Sequence, residues 1–436
     1  MRSIALALTA LVFVAQAQTP APLPAPDDPI KTLVGRLDLE KYKATIKGLT
    51  QFGDRRQGTE RNRKAIDWIE AQLKSYGCTN TQRIKYTFTP RAPGAGRGTV
   101  DPATGEPAAA APTASAQPAD VTAGRGQAPG TAAGRGPQGG RGRGSAGQGG
   151  SRIRGVRART GVNNDSAAQP DPRLRELNAE QTPAGPGPRE EVYWTRIGAT
   201  HPEEMYIVGG HMDGIGWGEA ANDDASGTAL VMELARVMSG ADVRTDRSIR
   251  FVLWNNEESG TNGSRAYVEQ RKDLQGKEDP TGSGKFPEPR WLGLIQHDMM
   301  MFDHGMPRED GTVSREQRPE ADVNIEFQVN SKFAAQSQAL AWILQAANEK
   351  YATDYPAAVG SHMTNTDSGP FMDLVAAISL RENERGAQIG AGWDPQWHQP
   401  TDLYATYSDK DFRLGLNAAQ TTLAAVAQLT GATLKK

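Results

Sequence analysis

The chain has 436 residues, of which 37% are hydrophobic, and a formal net charge of −2. This length can bury one large core or two, and the near-neutral charge gives no overall bias toward nucleic acid or acidic partners. The only cysteine, Cys78, excludes an intramolecular disulfide, so the fold must be held by its core and by any metal that it binds.

The first residues have the three parts of a secretory signal. Arg2 precedes an apolar run at 4–14, and Ala15-Gln16-Ala17 forms a small-residue cleavage site. The apolar run is shorter than the about 20 residues that a membrane-spanning helix needs. We therefore predict a cleaved signal peptide at 1–17, a secreted or periplasmic protein, and no stable membrane anchor.

A Pro/Ala-rich lead at 18–34 separates the signal from the first predicted elements. Two helices and an extended run are predicted next, at 39–49, 60–76 and 84–90. The second helix is indicated by apolar residues at helical spacing and by Gly77, which is a typical stop signal.

The composition changes sharply at residue 91. Between 91 and 160 there are 17 glycines and no aromatic residue, and ten arginines against three acidic residues give a net charge of +7. Such a segment cannot bury enough apolar surface to offset its ordering entropy. We therefore predict a disordered Gly/Arg/Pro-rich insertion at 91–189, inside one domain formed by 35–90 and 190–436.

The Arg-Gly repeats of this insertion are of a kind that binds polyanions through phosphate contacts. A solvated linker is the favoured interpretation, because no aromatic side chain is interleaved for base stacking and the signal peptide directs the chain away from nucleic acid. We expect no nucleic-acid partner; binding to anionic glycans or lipid headgroups is the remaining alternative.

Beyond residue 190, strand-like and helical patterns alternate. Strands are predicted at 190–198, 205–208, 248–254 and 291–295, and a helix at 228–238. This order predicts an α/β fold of three layers, with a mixed, mostly parallel central sheet and helices on both faces. In open α/β sheets ligands collect beyond the carboxyl ends of the strands, so polar residues that follow these strands are expected to converge.

Acidic and imidazole side chains do follow the strands. In chain order they are His211, Asp213, Asp223, Asp224, Glu257, Glu258 and Asp298. A hydrolytic pair of divalent ions needs imidazole ligands, a carboxylate able to bridge, further carboxylates, and a base for the shared water. The distant last ligand is best supplied by His398, in the loop WDPQWHQPTD.

Neighbouring carboxylates are expected to divide their roles. One of Asp223 and Asp224 can cap the following helix while the other points into the site. Adjacent carboxylates such as Glu257 and Glu258 repel each other unless a cation or proton separates them, so one can bind metal while the other accepts a proton. His297 alternates to the opposite face from Asp298 and is interpreted as structural.

This set of motifs resembles the co-catalytic zinc aminopeptidases, relatives of bacterial leucyl aminopeptidases and of glutamate carboxypeptidases. The similarity lies in the ordered series His-x-Asp, Asp-Asp-Ala-Ser-Gly, Glu-Glu, Gln-x-Asp, DSGPF and HQPTD, and covers about residues 35–90 and 190–430. It implies a zinc exopeptidase fold with two zinc ions per chain. The metal ligands that it implies are His211, Asp223, Glu258, Asp298 and His398, with Asp223 bridging the ions.

The resemblance also implies two residues that act on the chemistry without binding metal. Glu257 would be the general base for a water activated by the two zinc ions. Asp213 would orient His211 by accepting the second N–H of its ring, which agrees with its position two residues further on.

The chain departs from the family pattern near the motif DSGPF. The preceding stretch GSHMTNTDSG contains no tyrosine of the kind that helps many of these aminopeptidases to stabilise the oxyanion, and Ser368 replaces a family histidine. His362 could substitute for the tyrosine, or the metals could act alone. Candidates for an apolar specificity pocket are Met299, Met363, Trp393 and Trp397.

The first hypothesis is a secreted metal-dependent aminopeptidase acting on peptide substrates. A carboxypeptidase or dipeptidase of the same fold is the alternative, and it would need basic residues near the site, such as Arg381 or Arg385. A glutaminyl cyclase, which works with one zinc ion, and a non-catalytic binding module are further alternatives. The number of bound metal ions separates these last two. No oligomeric state is predicted.

Overall fold

The computed structural model describes residues 28–90, 152–153, 156–157, 162–181, 185–303, 323–361, 366–382 and 394–435. The predicted signal peptide at 1–17, the start of the lead and most of the predicted insertion lie outside the described residues.

The strands of the described residues are β1 (Gln82–Phe88), β2 (Arg152–Ile153), β3 (Val156–Arg157), β4 (Gly187–Arg196), β5 (His201–His211), β6 (Val243–Arg244), β7 (Arg247–Trp254), β8 (Arg290–His297), β9 (Val323–Phe327), β10 (Ala357–Gly360), β11 (Ala377–Arg381) and β12 (Thr433–Leu434). The α-helices are α1 (Pro29–Val34), α2 (Leu39–Thr50), α3 (Glu60–Ser75), α4 (Pro172–Leu177), α5 (Ala225–Met238), α6 (Asn262–Arg271), α7 (Ala334–Tyr351) and α8 (Asp409–Leu429). Short 3-10 turns cover Ser166–Ala168, Gly369–Phe371 and Tyr404–Thr406.

Eight strands form one sheet in the order β1-β4-β7-β5-β8-β11-β9-β10. The four central strands β7, β5, β8 and β11 run parallel, whereas β4 and β9 flank them antiparallel. The predicted mixed, mostly parallel sheet is thus confirmed. Parallel strands end at the same edge, so the loops after β5, β7, β8 and β11 lie side by side.

Alternate residues of the central strands enter two separate cores. Val208 and Phe251 pack with the helices on one face, including α2, α3, α5 and α8. Ile207 and Val252 point the other way, into a second core with Tyr267 of α6. This period of two buries both faces of the sheet and confirms the predicted three layers.

The four strands and the helix predicted beyond residue 190 are confirmed, and each is longer than predicted. The helix predicted at 228–238 begins at Ala225 because the Asp224 carboxylate caps it. No helix within the described ranges is long and apolar enough to cross a membrane.

Helix α1 forms at the end of the segment predicted as a Pro/Ala-rich lead, 18–34. Asp28 accepts hydrogen bonds from the N–H groups of Ile30 and Lys31, and Pro29 occupies the first helical position, where its missing N–H costs nothing. Leu33 and Val34 are buried in the main core. A cap and one apolar pair therefore outweigh the Pro/Ala-rich composition.

The insertion predicted at 91–189 extends too far at its C-terminal end. Residues 162–181 form a 3-10 turn and helix α4 against the domain, and β4 already starts at Gly187. The buried Asn178 side chain accepts the Asp54 N–H at 3.0 Å and donates to the Gly218 carbonyl at 2.8 Å. Hydrogen bonds of buried polar side chains hold this segment against the domain. A prediction of disorder from the number of apolar residues does not detect them.

Candidate metal centre

The five side chains predicted to bind metal all lie at the carboxyl edge of the central strands. His211 is the last residue of β5, and Asp298 directly follows β8. Three loops supply the others: Asp223 just before α5, Glu258 after β7 and His398 before α8. The structure brings these residues together from a span of nearly two hundred positions.

The Asp223 carboxylate lies between the two histidines. Its Oδ1 is 3.3 Å from His211 Nε2, and its Oδ2 is 2.9 Å from His398 Nε2. Each imidazole nitrogen faces a second carboxylate, with Asp298 Oδ1 at 3.7 Å from His211 and Glu258 Oε2 at 2.9 Å from His398. The result is two imidazole and carboxylate pairs that share one aspartate.

The donor atoms are those through which proteins bind zinc, imidazole nitrogen and carboxylate oxygen. His211, Asp223 and Glu258 each offer a ligand atom within 4.8 Å of the others. Among the described residues no hydrogen-bond partner lies near the buried atoms Glu258 Oε1 and His398 Nδ1. A buried carboxylate oxygen without a donor is costly, so this donor set fits a divalent cation.

The pKa values of the centre reflect its excess of carboxylates. Burial alone would lower the pKa of His398, but Glu258 and Asp223 raise it to about 10. Burial would raise the pKa of Asp223, yet the two imidazoles hold it at about 2. In both cases the charges of opposite sign nearby outweigh desolvation.

Asp224 caps the helix while Asp223 faces the centre, as predicted for this pair. Asp224 Oδ1 accepts the N–H groups of Gly227 and Met299 at 2.8 and 3.1 Å, and its Oδ2 accepts the His211 N–H at 3.0 Å. One buried carboxylate thereby joins the end of β5, the start of α5 and the loop after β8.

Asp213 does not act on His211 in the predicted way. His211 Nδ1 lies 3.0 Å from the main-chain oxygen of Asp213, whereas the nearest carboxylate oxygen is 3.9 Å away. The Asp213 carboxylate instead accepts the Glu257 N–H at 3.0 Å and fixes the loop of the predicted base.

Glu257 is partly buried beside the centre. Burial raises the pKa of its carboxyl well above the usual value, and the carboxylates of Asp367 and Glu258 add to the rise. Asp367, from the motif DSGPF, accepts a hydrogen bond from the Ser264 hydroxyl at 2.5 Å.

Asp402 supports the centre, although sequence reasoning assigned it no role. Its two carboxylate oxygens accept the N–H groups of Asn222 and Asp223, at 2.8 and 3.1 Å. Tyr407 donates to the same carboxylate at 3.0 Å. The signal for Asp402 was its place in HQPTD, four residues after His398.

Arg55 supports the loop after β5 from the front of the chain. It is fully buried and donates to the carbonyl oxygens of Met212, Glu219 and Ala220 at 2.7 to 2.8 Å. No local pattern indicates this role, because these partners are more than 150 positions away.

Arg381 lies near the site, as the carboxypeptidase alternative requires, but its side chain is buried and paired with Asp298. It is 2% exposed, and its Nη2 lies 2.8 Å from Asp298 Oδ2. Burial would raise the pKa of Asp298, but this guanidinium holds it below the usual range.

Only part of the predicted specificity pocket and oxyanion group can be placed. Met299 and Trp397 are buried, and the Trp397 ring stacks on the His398 ring with centroids 3.9 Å apart. Four other candidates, His362, Met363, Arg385 and Trp393, lie outside the described residues.

Two known peptidases match a short stretch of this chain. The chain is 36% identical over 76 residues to carboxypeptidase Q of Xenopus laevis, and 38% identical over 75 residues to aminopeptidase YwaD of Bacillus subtilis. Each match spans 17% of this chain and only 16% of the relative.

The fold is similar to that of BSAP, a zinc aminopeptidase from Bacillus subtilis. The TM-score is 0.54 at 15% identity, and the match covers 90% of this chain and 96% of that structure. At this identity the likeness concerns the fold. The profile of peptidase family M28 matches residues 192–422, more than half of the chain and the whole of the centre described above. The protein therefore belongs to peptidase family M28.

Proposed function

We propose that the protein is a secreted aminopeptidase that removes N-terminal residues from peptides with the help of two zinc ions. The observation that carries the proposal is the position of Asp223, whose two oxygens face two different imidazoles. A carboxylate in this position is suited to bridge two cations.

The ligands divide into two sets around this carboxylate. His211 and Asp298 would hold one ion, Glu258 and His398 the other, and Asp223 both. Bound zinc supplies Lewis acidity, which polarises the scissile carbonyl and lowers the pKa of water to near neutrality. The Trp397 ring stacks on His398, and Met299 and Met300 are buried directly after Asp298.

Glu257 would transfer the proton. Its carboxylate accepts a proton from the attacking water and then donates it to the nitrogen of the leaving amine as the peptide bond breaks. Its raised pKa suits a group that must both take and return a proton. Asp213 keeps it in place through the Glu257 N–H.

The charges near the centre favour an amine over a carboxylate as the recognised end of the substrate. A free α-amino group is a cation, and Glu257 and Asp367 are carboxylates beside the ligands. Arg381 is already paired with Asp298. The similarity to carboxypeptidase Q supports the second candidate, carboxypeptidase activity, which would place a cation such as Arg385 at the substrate's C-terminus.

The location is proposed from the first 17 residues. Their charged start, apolar run and Ala-Gln-Ala end favour export to the periplasm or the medium. Peptides in that compartment would be the substrates, and no nucleic acid is expected to bind.

The test uses zinc-loaded wild type with a Leu-initiated peptide in free, N-acetylated and C-amidated forms, followed by mass spectrometry. Release of leucine that acetylation abolishes supports the aminopeptidase, whereas cleavage lost only on amidation supports the carboxypeptidase. Glu257→Gln keeps the shape of the side chain but cannot accept the proton, so kcat should fall by about 10² to 10⁴.

Metal analysis of the same samples completes the test. Two zinc ions per chain in both wild type and Glu257→Gln agree with the proposal. One ion favours a cyclase, and none favours a binding module. An active Glu257→Gln enzyme with two ions would refute the role of Glu257.

A further inference from the structure

The centre has two halves, His211 with Asp298 and His398 with Glu258. They differ in one respect that the proposed function does not require. Asp298 lies against a buried guanidinium, at 2.8 Å from Arg381 Nη2. Glu258 is the matching carboxylate in the other half. Within the described residues its ion pair is with His398.

The register of the sheet fixes this contact. Strands β8 and β11 are parallel neighbours in which Leu380 pairs with His297, and the Asp298 N–H donates to the Leu380 carbonyl at 3.2 Å. Asp298, directly after β8, and Arg381, the last residue of β11, therefore project from the same face. Both side chains are at most 5% exposed, so water screens the pair little.

The two carboxylate oxygens of Asp298 have different partners. Oδ2 faces Arg381, and Oδ1 faces His211 Nε2 at 3.7 Å. Only Oδ1 is directed toward the space shared with His211 and Asp223. On its other side the guanidinium lies 3.9 Å from Glu326 Oε2, which holds it between two carboxylates.

We propose that Arg381 is a positioning residue that makes the His211 half of the centre the weaker of two zinc positions. This rests on the proposed function, in which Asp298 is a ligand. Arg381 neutralises Asp298 in the metal-free protein, so a cation gains less by binding there and must share the carboxylate with a second positive charge. The His398 half has no such competitor among the described residues and fills first.

The experiment titrates metal-free protein with zinc against a chelator of known affinity. Wild type should take up two ions in unequal steps. Arg381→Met removes the competing charge at similar length, so the weaker step should tighten by tenfold or more while the stronger step changes little. Arg381→Lys keeps the charge and should retain the weak step.

A matched control breaks a different buried pair. Arg250 forms a buried ion pair with Glu288, and neither residue is a proposed ligand or supports one. Arg250→Met should lower the melting temperature of the metal-free protein, as Arg381→Met also should, but leave both zinc steps unchanged. A general effect of losing a buried ion pair is thereby separated from an effect on metal affinity.

A measurement on the wild type keeps the proposal testable if Arg381→Met does not fold. Imidazole nitrogen NMR of full-length protein given one equivalent of zinc should show the His398 signals shifted and those of His211 unshifted. Three outcomes would overturn the Arg381 proposal alone. They are a shift of the His211 signals before those of His398, equal zinc affinity in the two steps, and a weak step that is unchanged in Arg381→Met. Absence of zinc uptake by wild type would overturn the proposed function with it.

Discussion

His297 and Asp298 are neighbours in sequence, yet their side chains lie on opposite faces of the sheet. Asp298 faces the centre, whereas His297 is buried with Nδ1 3.0 Å from the Gly209 carbonyl oxygen and Nε2 2.8 Å from the Thr422 hydroxyl. Nδ1–H donates to Gly209, and Thr422 donates to Nε2. The ring is thus held in its neutral form, and its place on the opposite face is the one predicted from strand alternation.

This neutral histidine should make the stability of the protein depend on pH. Burial lowers the pKa of His297 to about 4, so between pH 6.5 and 4 the unfolded chain binds a proton that the folded chain does not. The unfolding free energy of the metal-free protein should therefore fall by about 3 kcal/mol over that range relative to a variant without the ring. Denaturant titrations of wild type and His297→Asn at several pH values measure this fall in unfolding free energy. A difference in unfolding free energy that does not change with pH would contradict the prediction.

The Cys78 thiol should be unreactive in the folded protein. It is fully buried, and burial raises the pKa of its thiol to about 12, so almost no thiolate forms near neutrality. A thiol reagent at pH 8 should modify the chain only after denaturant is added. Mass spectrometry of native and denatured samples is the measurement; rapid labelling of the native protein would show that the core around α3 opens.

At the scale of elements, the segment 162–181 is part of the centre's support. The Asn163 N–H donates to the His398 carbonyl at 3.0 Å. The buried Gln169 amide donates to the carbonyl oxygens of Pro400 and Trp217, at 2.9 and 2.8 Å. A stretch next to the Gly/Arg-rich sequence therefore holds the loop that carries a proposed ligand.

Gln169→Leu should test this support. The change keeps the volume but leaves two buried carbonyl groups without donors, at a cost of about 1–3 kcal/mol each. We expect a lower unfolding free energy and weaker zinc binding in the step assigned to His398. Arg173→Ala, at an exposed position on α4, is the control and should alter neither. Unchanged zinc affinity in Gln169→Leu would mean that the loop holds its position without the segment.

These elements show why the fold was more predictable than the support of the site. Strands β5, β7 and β8 carry their own apolar signal, and the ligands follow them in a recognisable order. Gln169 and Arg55 have no local signal, because their hydrogen-bond partners lie up to 231 and 165 positions away. The atom by which Asp213 acts depends on how the chain turns after β5, which spacing alone does not specify.

For the whole molecule, the central question is what residues 91–161 contribute. Their composition predicts no buried core, and the short strands β2 and β3 pair with each other. Replacing 95–158 by a Gly/Ser linker of about 12 residues should leave peptidase activity intact. The segment 91–161 would then be nearly fourfold shorter, which should raise the unfolding free energy by about 1.1 kcal/mol, since each doubling of loop length costs about 0.6 kcal/mol.

A longer deletion is the matched comparison. Removing 95–181 with the same linker also removes Gln169 and Asn178, which bind the loops of the centre. This variant should lose stability and zinc affinity together. Calorimetry and zinc titration of both deletions check the prediction, and equal behaviour would mean that the boundary predicted at 189 describes the functional unit better than the structure does.

The loop from His398 to Asp402 acts twice on the same carboxylate. His398 contacts the Asp223 side chain, and Asp402 holds its backbone N–H. Residues 398–402 thus contact both the side chain and the backbone of Asp223, which is shared by both halves of the centre. Thr401, between them, is exposed. A proteolytic cut there would separate His398 from Asp402, so it should weaken both contacts on Asp223 at once.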